Sequence, residues 1–185
     1  MNAANGKLVI ISAPSGTGKG TVIKEMLKLR SDLAFSVSAT TRKPRTGEED
    51  GIDYHFISKQ QFKRMITGDE FLEYAEYVGE FYGTPAKPVN ACISTGKTII
   101  LDIEVQGAKQ VMSKRDDAVT IFLTPPDLEV LESRLRGRGT DSEEKLKARL
   151  EQARSELEEK CHYDHVVVCD FAARAAAEIL EIIDK

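Results

Sequence analysis

An α/β fold, a parallel sheet flanked by helices, is what this sequence predicts, on three observations. The stretch Lys7 to Met26, KLVIISAPSGTGKGTVIKEM, reads as strand, glycine-bearing loop and helix. β-Branched apolar runs recur at Thr98 to Glu104, Ala118 to Leu123 and His165 to Asp170, and a helical pattern follows each. Finally, 185 residues with 41% hydrophobic content can bury one good core with small insertions, so one α/β unit is expected.

The first strand, Leu8 to Ser12, has the continuous apolarity of a strand buried on both faces. A turn of Ala13, Pro14, Ser15, Gly16, Thr17 and Gly18 follows, then a helix over Lys19 to Leu29 with Val22, Ile23, Met26 and Leu27 inward. Glycines allow the backbone to curl so that several N–H groups point at one polyphosphate. The helix N-terminus adds partial positive charge and Lys19 a full one. The usual pattern G-x-x-x-x-G-K-[ST] is departed from twice: Ala13 stands at the first glycine, and Gly20 follows the lysine with Thr21 one place later. Ala13 costs little if its φ is negative. Gly20 leaves Thr21, water or a downstream carboxylate to help hold Mg²⁺. By itself the loop implies a nucleoside triphosphate and no more.

Net charge −4 and a pI near 5.5 argue against a general nucleic-acid binder. No apolar run approaches a membrane span, and Met1 to Gly6 is too short and polar for a signal peptide, so a cytoplasmic location without membrane partners is expected. The cysteines Cys92, Cys161 and Cys169 are odd in number and lack CxxC spacing, which disfavours a disulfide framework. Zinc at Cys161, His162, His165 and Cys169 is disfavoured too, because two of the four sit at the ends of one expected strand.

Leu33 to Ser38 reads as a short strand leading into SVSATTRKPRTGEEDGIDYHF, Ser36 to Phe56. Its centre, with Pro44, Gly47 and Gly51, is a loop carrying Arg42, Lys43 and Arg45. Two guanidiniums on a loop pinned by proline can grip one phosphate from two sides. From charges alone a solvated basic loop is favoured, with Glu48, Glu49 and Asp50 at hand to pair with the arginines. Tyr54 to Ile57 then reads as a strand and Ser58 as the cap of a helix carrying Phe62, Met65 and Ile66. Phe71 to Val78 and Phe81 to Thr84 suggest a hairpin turning at Gly79-Glu80.

Pro85 to Gly96 is expected to be a helix, and Thr98 to Glu104 a second buried strand ending in acids. Carboxylates at the carboxyl end of such a strand lie where open α/β sheets bind ligands. Asp102 is the candidate for a Mg²⁺ shell, through water. Gln106 to Met112 starts a helix, and Pro125-Pro126-Asp127 begins another with Leu128, Leu131 and Leu135 on one face. Out of its end comes RLRGRGT, Arg134 to Thr140, a hinged basic tip. Thr140-Asp141-Ser142-Glu143 caps a long helix with the stripe Leu146, Leu150, Ala153 and Leu157. Arg149 lies about 60° from Leu146 around that helix, on the flank of the stripe, where it can point into a cleft. Arg136 and Arg154 are expected at the solvent or paired with glutamates. Phe171 to Ile183 closes the chain as a helix.

SVSATTRKPRTGEEDGIDYHF, standing after a GTGKGT loop, resembles the GMP-binding signature of guanylate kinases. The similarity continues through FLEYAEYVGEFYGTP, ILDIEVQGAKQV and RLRGRGT and covers nearly the whole chain in the expected order. The resemblance implies a P-loop NTPase-type sheet (1–37, 91–136 and 155–185), a small mixed α+β GMP-binding insertion (38–90) and a helical lid (137–154). It implies transfer of the γ-phosphoryl group of Mg·ATP to GMP. Arg42, Arg45, Tyr54 and Tyr82 would hold the GMP phosphate; Ser38, Glu73, Thr84 and Glu104 would address the guanine. Ala13 to Thr21 with Arg134 and Arg138 would hold ATP, Thr21 and Asp102 the metal, and Lys19, Arg42, Arg138 and Arg149 would serve catalysis. Cys169 replaces the family's usual asparagine, which weakens any adenine contact there. The chemistry agrees on the base: guanine presents N1–H and N2 amino donors side by side, and an ionised Glu73 offers only acceptors. A kinase for another nucleoside monophosphate, or a guanylate-kinase-like binding module without catalysis, are the alternative readings.

Overall fold

The structure is a computed structural model that describes residues 6–137 and 142–185. Five strands form one parallel sheet in the order β2-β7-β1-β8-β9: Leu33–Phe35, Thr98–Asp102, Leu8–Ser12, Ala118–Thr124 and His165–Val168. The other four, β3 (Ala39–Thr40), β4 (His55–Phe56), β5 (Phe71–Tyr77) and β6 (Glu80–Pro85), form a second sheet in the order β4-β3-β6-β5. The helices are α1 (Lys19–Leu29), α2 (Lys59–Thr67), α3 (Ala86–Ser94), α4 (Val105–Lys114), α5 (Leu128–Arg136), α6 (Glu143–Glu158) and α7 (Ala172–Ile183). The expected α/β class and parallel sheet are therefore observed. The chain forms two compact units rather than one. No helix among the described residues is long and apolar enough to cross a membrane.

One unit comprises Val9–Leu33, Asp102–Val105 and Val119–Lys185. Strand β1 is buried at every position, as its unbroken apolar run predicts. Helix α1 buries Val22, Ile23 and Met26 and packs against α7, which buries Ala175, Ala176, Ile179 and Ile183. Helices α5 and α6 share a cluster of Leu131, Leu135, Leu146 and Ala153, with Leu150 beside it. The α5 stripe begins one turn later than expected, because Leu128 next to the Asp127 cap stays 36% exposed. Helix α6 is capped by Ser142, whose Oγ accepts from the Lys145 N–H. Ser142 falls within the expected capping stretch Thr140-Asp141-Ser142-Glu143. Ser142 sits nearer the first apolar position, Leu146, so the helix starts there; Thr140 and Asp141 lie outside the described residues.

The other unit comprises the residues through Leu8, Ala34–Leu101 and Gln106–Ala118. Its second sheet is mixed: β3 pairs parallel with β4 and antiparallel with β6, while β5 and β6 form an antiparallel hairpin. Phe62 on α2 is fully buried, stacks on Phe71 at 4.4 Å and, with Ala39, forms the core under this sheet. Ser58 caps α2 as expected, accepting from the Gln61 N–H at 3.1 Å. The hairpin turns one residue earlier than expected, at Val78-Gly79, both with positive φ (51° and 75°), between the paired Tyr77 and Glu80. A two-residue connection that follows the strand twist needs both central residues left-handed, so Val78 is drawn into the turn despite its strand preference.

Candidate functional site

The loop Ala13–Gly18 is folded by its own short-range bonds. The Thr17 N–H and hydroxyl both donate to the Pro14 carbonyl, at 3.1 and 2.8 Å. Gly16 and Gly18 take φ of 94° and 107°, the left-handed region in which a side chain is strained. A Cβ on Gly16 would also stand 2.7 Å from the Leu135 side chain. Ala13 is buried and does not adopt a positive φ, so the missing first glycine costs the loop nothing. Around Gly20 there is nothing within 4 Å of an added Cβ, so neither space nor φ demands glycine after the lysine.

Ala13, Pro14, Ser15, Gly16, Gly18, Lys19, Gly20, Thr21, Lys24 and Glu104 line an open cavity of about 330 Å³. Lys19 is held at its edge: the ammonium lies 2.8 Å from Asp102 Oδ1 and donates to the Ile103 carbonyl at 2.9 Å. Ser12 Oγ also donates to that carbonyl, tying β1 to the residues after β7. Glu104, expected on the guanine side, is exposed and lines this cavity.

Arg134 does not extend freely toward the loop. Its guanidinium donates to the carbonyls of Thr17 (2.7 Å), Cys169 (3.1 Å) and Asp170 (3.1 Å), strapping α5 to the loop and to the segment after β9. Arg134, Cys169, Asp170, Ala172 and loop residues line a second cavity of about 290 Å³. The Cys169 thiol is buried, which pushes its pKa up and keeps it unreactive. Arg149 on α6 donates to Ser15 Oγ at 2.6 Å, so the flank position read from the helix period does reach the loop. Arg136 pairs with Glu132 and Glu143, as expected of a surface arginine. Arg138 lies outside the described residues.

In the other unit Arg42 forms a bidentate pair with Glu48, at 2.6 and 2.8 Å, and its guanidinium stands 5.1 Å from the Tyr54 ring centre and 5.6 Å from that of Phe56. This pair holds the Glu48 carboxyl down at about 2. Tyr82 meets Tyr54 edge to face at 6.2 Å. Arg45 is exposed, with its backbone N–H on Glu48, and half-buried Ser38 accepts from the His55 N–H through its carbonyl. Arg42, Tyr54 and Tyr82 are thus one cluster. Glu73 is 7% exposed and accepts a 2.6 Å bond from the Thr84 hydroxyl, itself fully buried. Burial pushes the Glu73 carboxyl above the ordinary range, with the Thr84 bond opposing it. Two features escaped the sequence reading, the Arg134 strap and a contact between Gly107 and Glu73, whereas the Arg42–Glu48 pair is the one the neighbouring acids offered. Only Gly107 carried a local signal, being a glycine in the first turn of a helix.

A glycine-bearing loop closed by a lysine, between a buried strand and a helix of a parallel sheet, defines a nucleotide-handling P-loop protein. The family described as guanylate kinase matches residues 5–185. Relatives named guanylate kinase include one from Lactococcus lactis subsp. lactis (strain IL1403), 50% identical over 97% of this chain and 87% of its own length. Another, from Enterococcus faecalis (strain ATCC 700802 / V583), is 51% identical over 96% and 88%. The solved guanylate kinase from Anaplasma phagocytophilum superposes with a TM-score of 0.77 at 33% identity, over 98% of this chain and 86% of that one. The chain belongs to the guanylate kinase family.

Proposed function

We propose that the chain transfers the γ-phosphoryl group of ATP to GMP, yielding ADP and GDP. The observation that carries the choice of acceptor is the buried Glu73–Thr84 pair. A buried carboxylate that meets the N1–H and N2 amino donors of guanine recovers the bonds it lost to burial. Adenine, with an acceptor at N1 and no N2 amino group, leaves it unpaired. Sites built on such donor–acceptor pairing reject the wrong analogue by orders of magnitude.

In this reading Arg42, Arg45, Tyr54 and Tyr82 hold the GMP phosphate, and Ser38, Thr84 and Glu104 join Glu73 in addressing the base. Arg42 exchanges Glu48 for the phosphate, since both are bidentate acceptors of the same fork. Ala13 to Thr21 wraps the triphosphate, Lys19 moves from Asp102 to its oxygens, and Arg134 and Arg138 complete the donor side. Arg149 moves from Ser15 to the transferring group. The unit boundaries proposed are the core 1–37, 91–136 and 155–185, the GMP-binding insertion 38–90, and a lid over 137–154 that closes to exclude water.

Chemistry at the phosphates is electrostatic. A monophosphate ester has a second pKa of about 6, so the acceptor is already mostly a dianion at neutral pH and needs no general base. Lys19 and the arginines offset repulsion between the two anions and stabilise charge spread over the transferring group. The oxygen donors beside the loop suit Mg²⁺: the Thr21 hydroxyl and Glu104 carboxylate line the loop cavity, and the Asp102 carboxylate adjoins it through Lys19. Asp102 through water, with Thr21, would hold the ion, which supplies charge neutralisation on the triphosphate. The proposed setting is the cytoplasm, with nucleotides as the protein's partners. Rates on GMP, AMP, UMP and dTMP, each with and without Mg²⁺, test the reading; a preference for any acceptor but GMP defeats it.

A further inference from the structure

Glu73 projects from an irregular part of β5. Its pairing with β6 shifts register between Phe71 and Glu73, and such a shift leaves the direction of a side chain poorly specified by the strand alone. Helix α4 supplies what the strand lacks. Gly107, Gln110 and Lys114 lie on one face of α4, at positions i, i+3 and i+7. The Lys114 ammonium donates to the Phe71 carbonyl at 3.2 Å. Gln110 accepts from the Tyr74 N–H through Oε1 at 3.2 Å and donates to the Tyr74 carbonyl through Nε2 at 2.9 Å. The backbone is therefore pinned on both sides of Glu73. Gly107 lies directly against the carboxylate: a Cβ there would stand 2.7 Å from Oε2 and 3.1 Å from Cδ. Its φ is not in the left-handed region, so conformational freedom does not account for the residue. Glycine is the least favourable helix former after proline, and the space it leaves for Glu73 is what it provides here.

We propose that Gly107 and Gln110 are positioning residues for base recognition, holding the Glu73 carboxylate in the plane in which it reads the guanine edge. This rests on the assignment of Glu73 to guanine. Oε1 is engaged by Thr84, so the carboxylate cannot retreat from an added methyl at 107 without loosening that bond or turning away from the base. Gln110 acts at one remove, because only a carboxamide of that length satisfies both the N–H and the carbonyl of Tyr74.

The test uses the full chain and five proteins: parent, Gly107→Ala, Gln110→Met, Glu73→Gln and the double variant Glu73→Gln/Gly107→Ala. Melting temperature, KM for ATP, and kcat and KM for GMP and for inosine monophosphate, which lacks the N2 amino group, are read for each. Gly107→Ala is expected to raise KM for GMP by at least about ten-fold, as misplaced recognition groups do, to narrow the preference for GMP over inosine monophosphate, and to leave KM for ATP within about two-fold. Gln110→Met shifts the same quantities by a smaller factor and carries the test should Gly107→Ala fail to fold. In the Glu73→Gln background Gly107→Ala narrows the preference no further, which general damage to the fold would not produce. If both α4 variants keep the parental preference while Glu73→Gln loses it, the positioning role is wrong. If Glu73→Gln itself keeps the preference, the assignment of Glu73 to guanine falls first and the positioning role with it.

Discussion

The phosphate loop and the Glu73 pocket handle charge in opposite ways. At the loop, backbone N–H groups come from adjacent residues, and Lys19, 14% exposed, waits on Asp102, 29% exposed and partly wet. At the pocket, one carboxylate is taken out of water and meets the Thr84 hydroxyl. A partly solvated ion pair costs little to hold and little to exchange. A buried acid costs stability until a matching donor arrives, so selectivity sits where the unliganded protein is least comfortable.

The largest effect expected from breaking this contrast is at the loop. Lys19→Met should lower GMP-dependent ADP release by about 10²–10³-fold, the cost of removing one group that stabilises developing charge. An unchanged rate in a coupled assay would remove Lys19 from its role. Next is Glu73→Gln, which keeps the shape and an acceptor for Thr84 but loses the charge. KM for GMP should rise by about ten-fold or more, while the unliganded protein gains about 1 kcal/mol at neutral pH, the size of common stabilising substitutions. The sign follows from the raised pKa. The folded protein binds this proton more tightly than the unfolded chain. Its stabilising contribution is present below the ordinary carboxylate range and lost as pH rises through the raised value. Melts across pH should therefore show variant and parent converging on acidification.

Smaller effects sharpen the comparison on the guanidinium side. Glu48 stays ionised down to about 2, so its hold on Arg42 does not relax at any working pH. Glu48→Gln keeps an acceptor for the Arg45 N–H and should lower KM for GMP by about two- to five-fold, the scale of one partly solvated ion pair. A rise instead would mean that Glu48 orders the loop more than it competes with phosphate. Smallest, and away from both sites, Val78→Asn should stabilise the hairpin by about 1 kcal/mol, since a valine at φ 51° is strained where asparagine is tolerated. Chemical denaturation with unchanged kinetics would show it.

Strand β1 and helix α1 were legible to the residue, because a buried run and a glycine loop express local rules. The hairpin turn was misplaced by one residue, because β-branching at Val78 argued for strand while the twist of the pair required a turn. The cap of α6 was legible only as the stretch Thr140 to Glu143, because competing cap residues stand close together in sequence. Among candidate site residues, the sequence offers Glu48 to Arg42 as a partner, but the bond between Glu73 and Thr84 is not readable from it. Whether Arg42 meets a phosphate or Glu48, and how deep Glu73 lies, depends on packing between segments far apart in the chain.

From the order of residues alone came the α/β class, the anion-binding loop with its lysine, and the acids at the end of β7. These are set by contiguous backbone and by which side chains avoid water. Tertiary structure alone decided that Arg134 straps carbonyls, that Lys19 rests on Asp102, and that a glycine of α4 makes room for Glu73. Each depends on where distant segments come to rest, and close packing leaves no freedom there that a local pattern could encode.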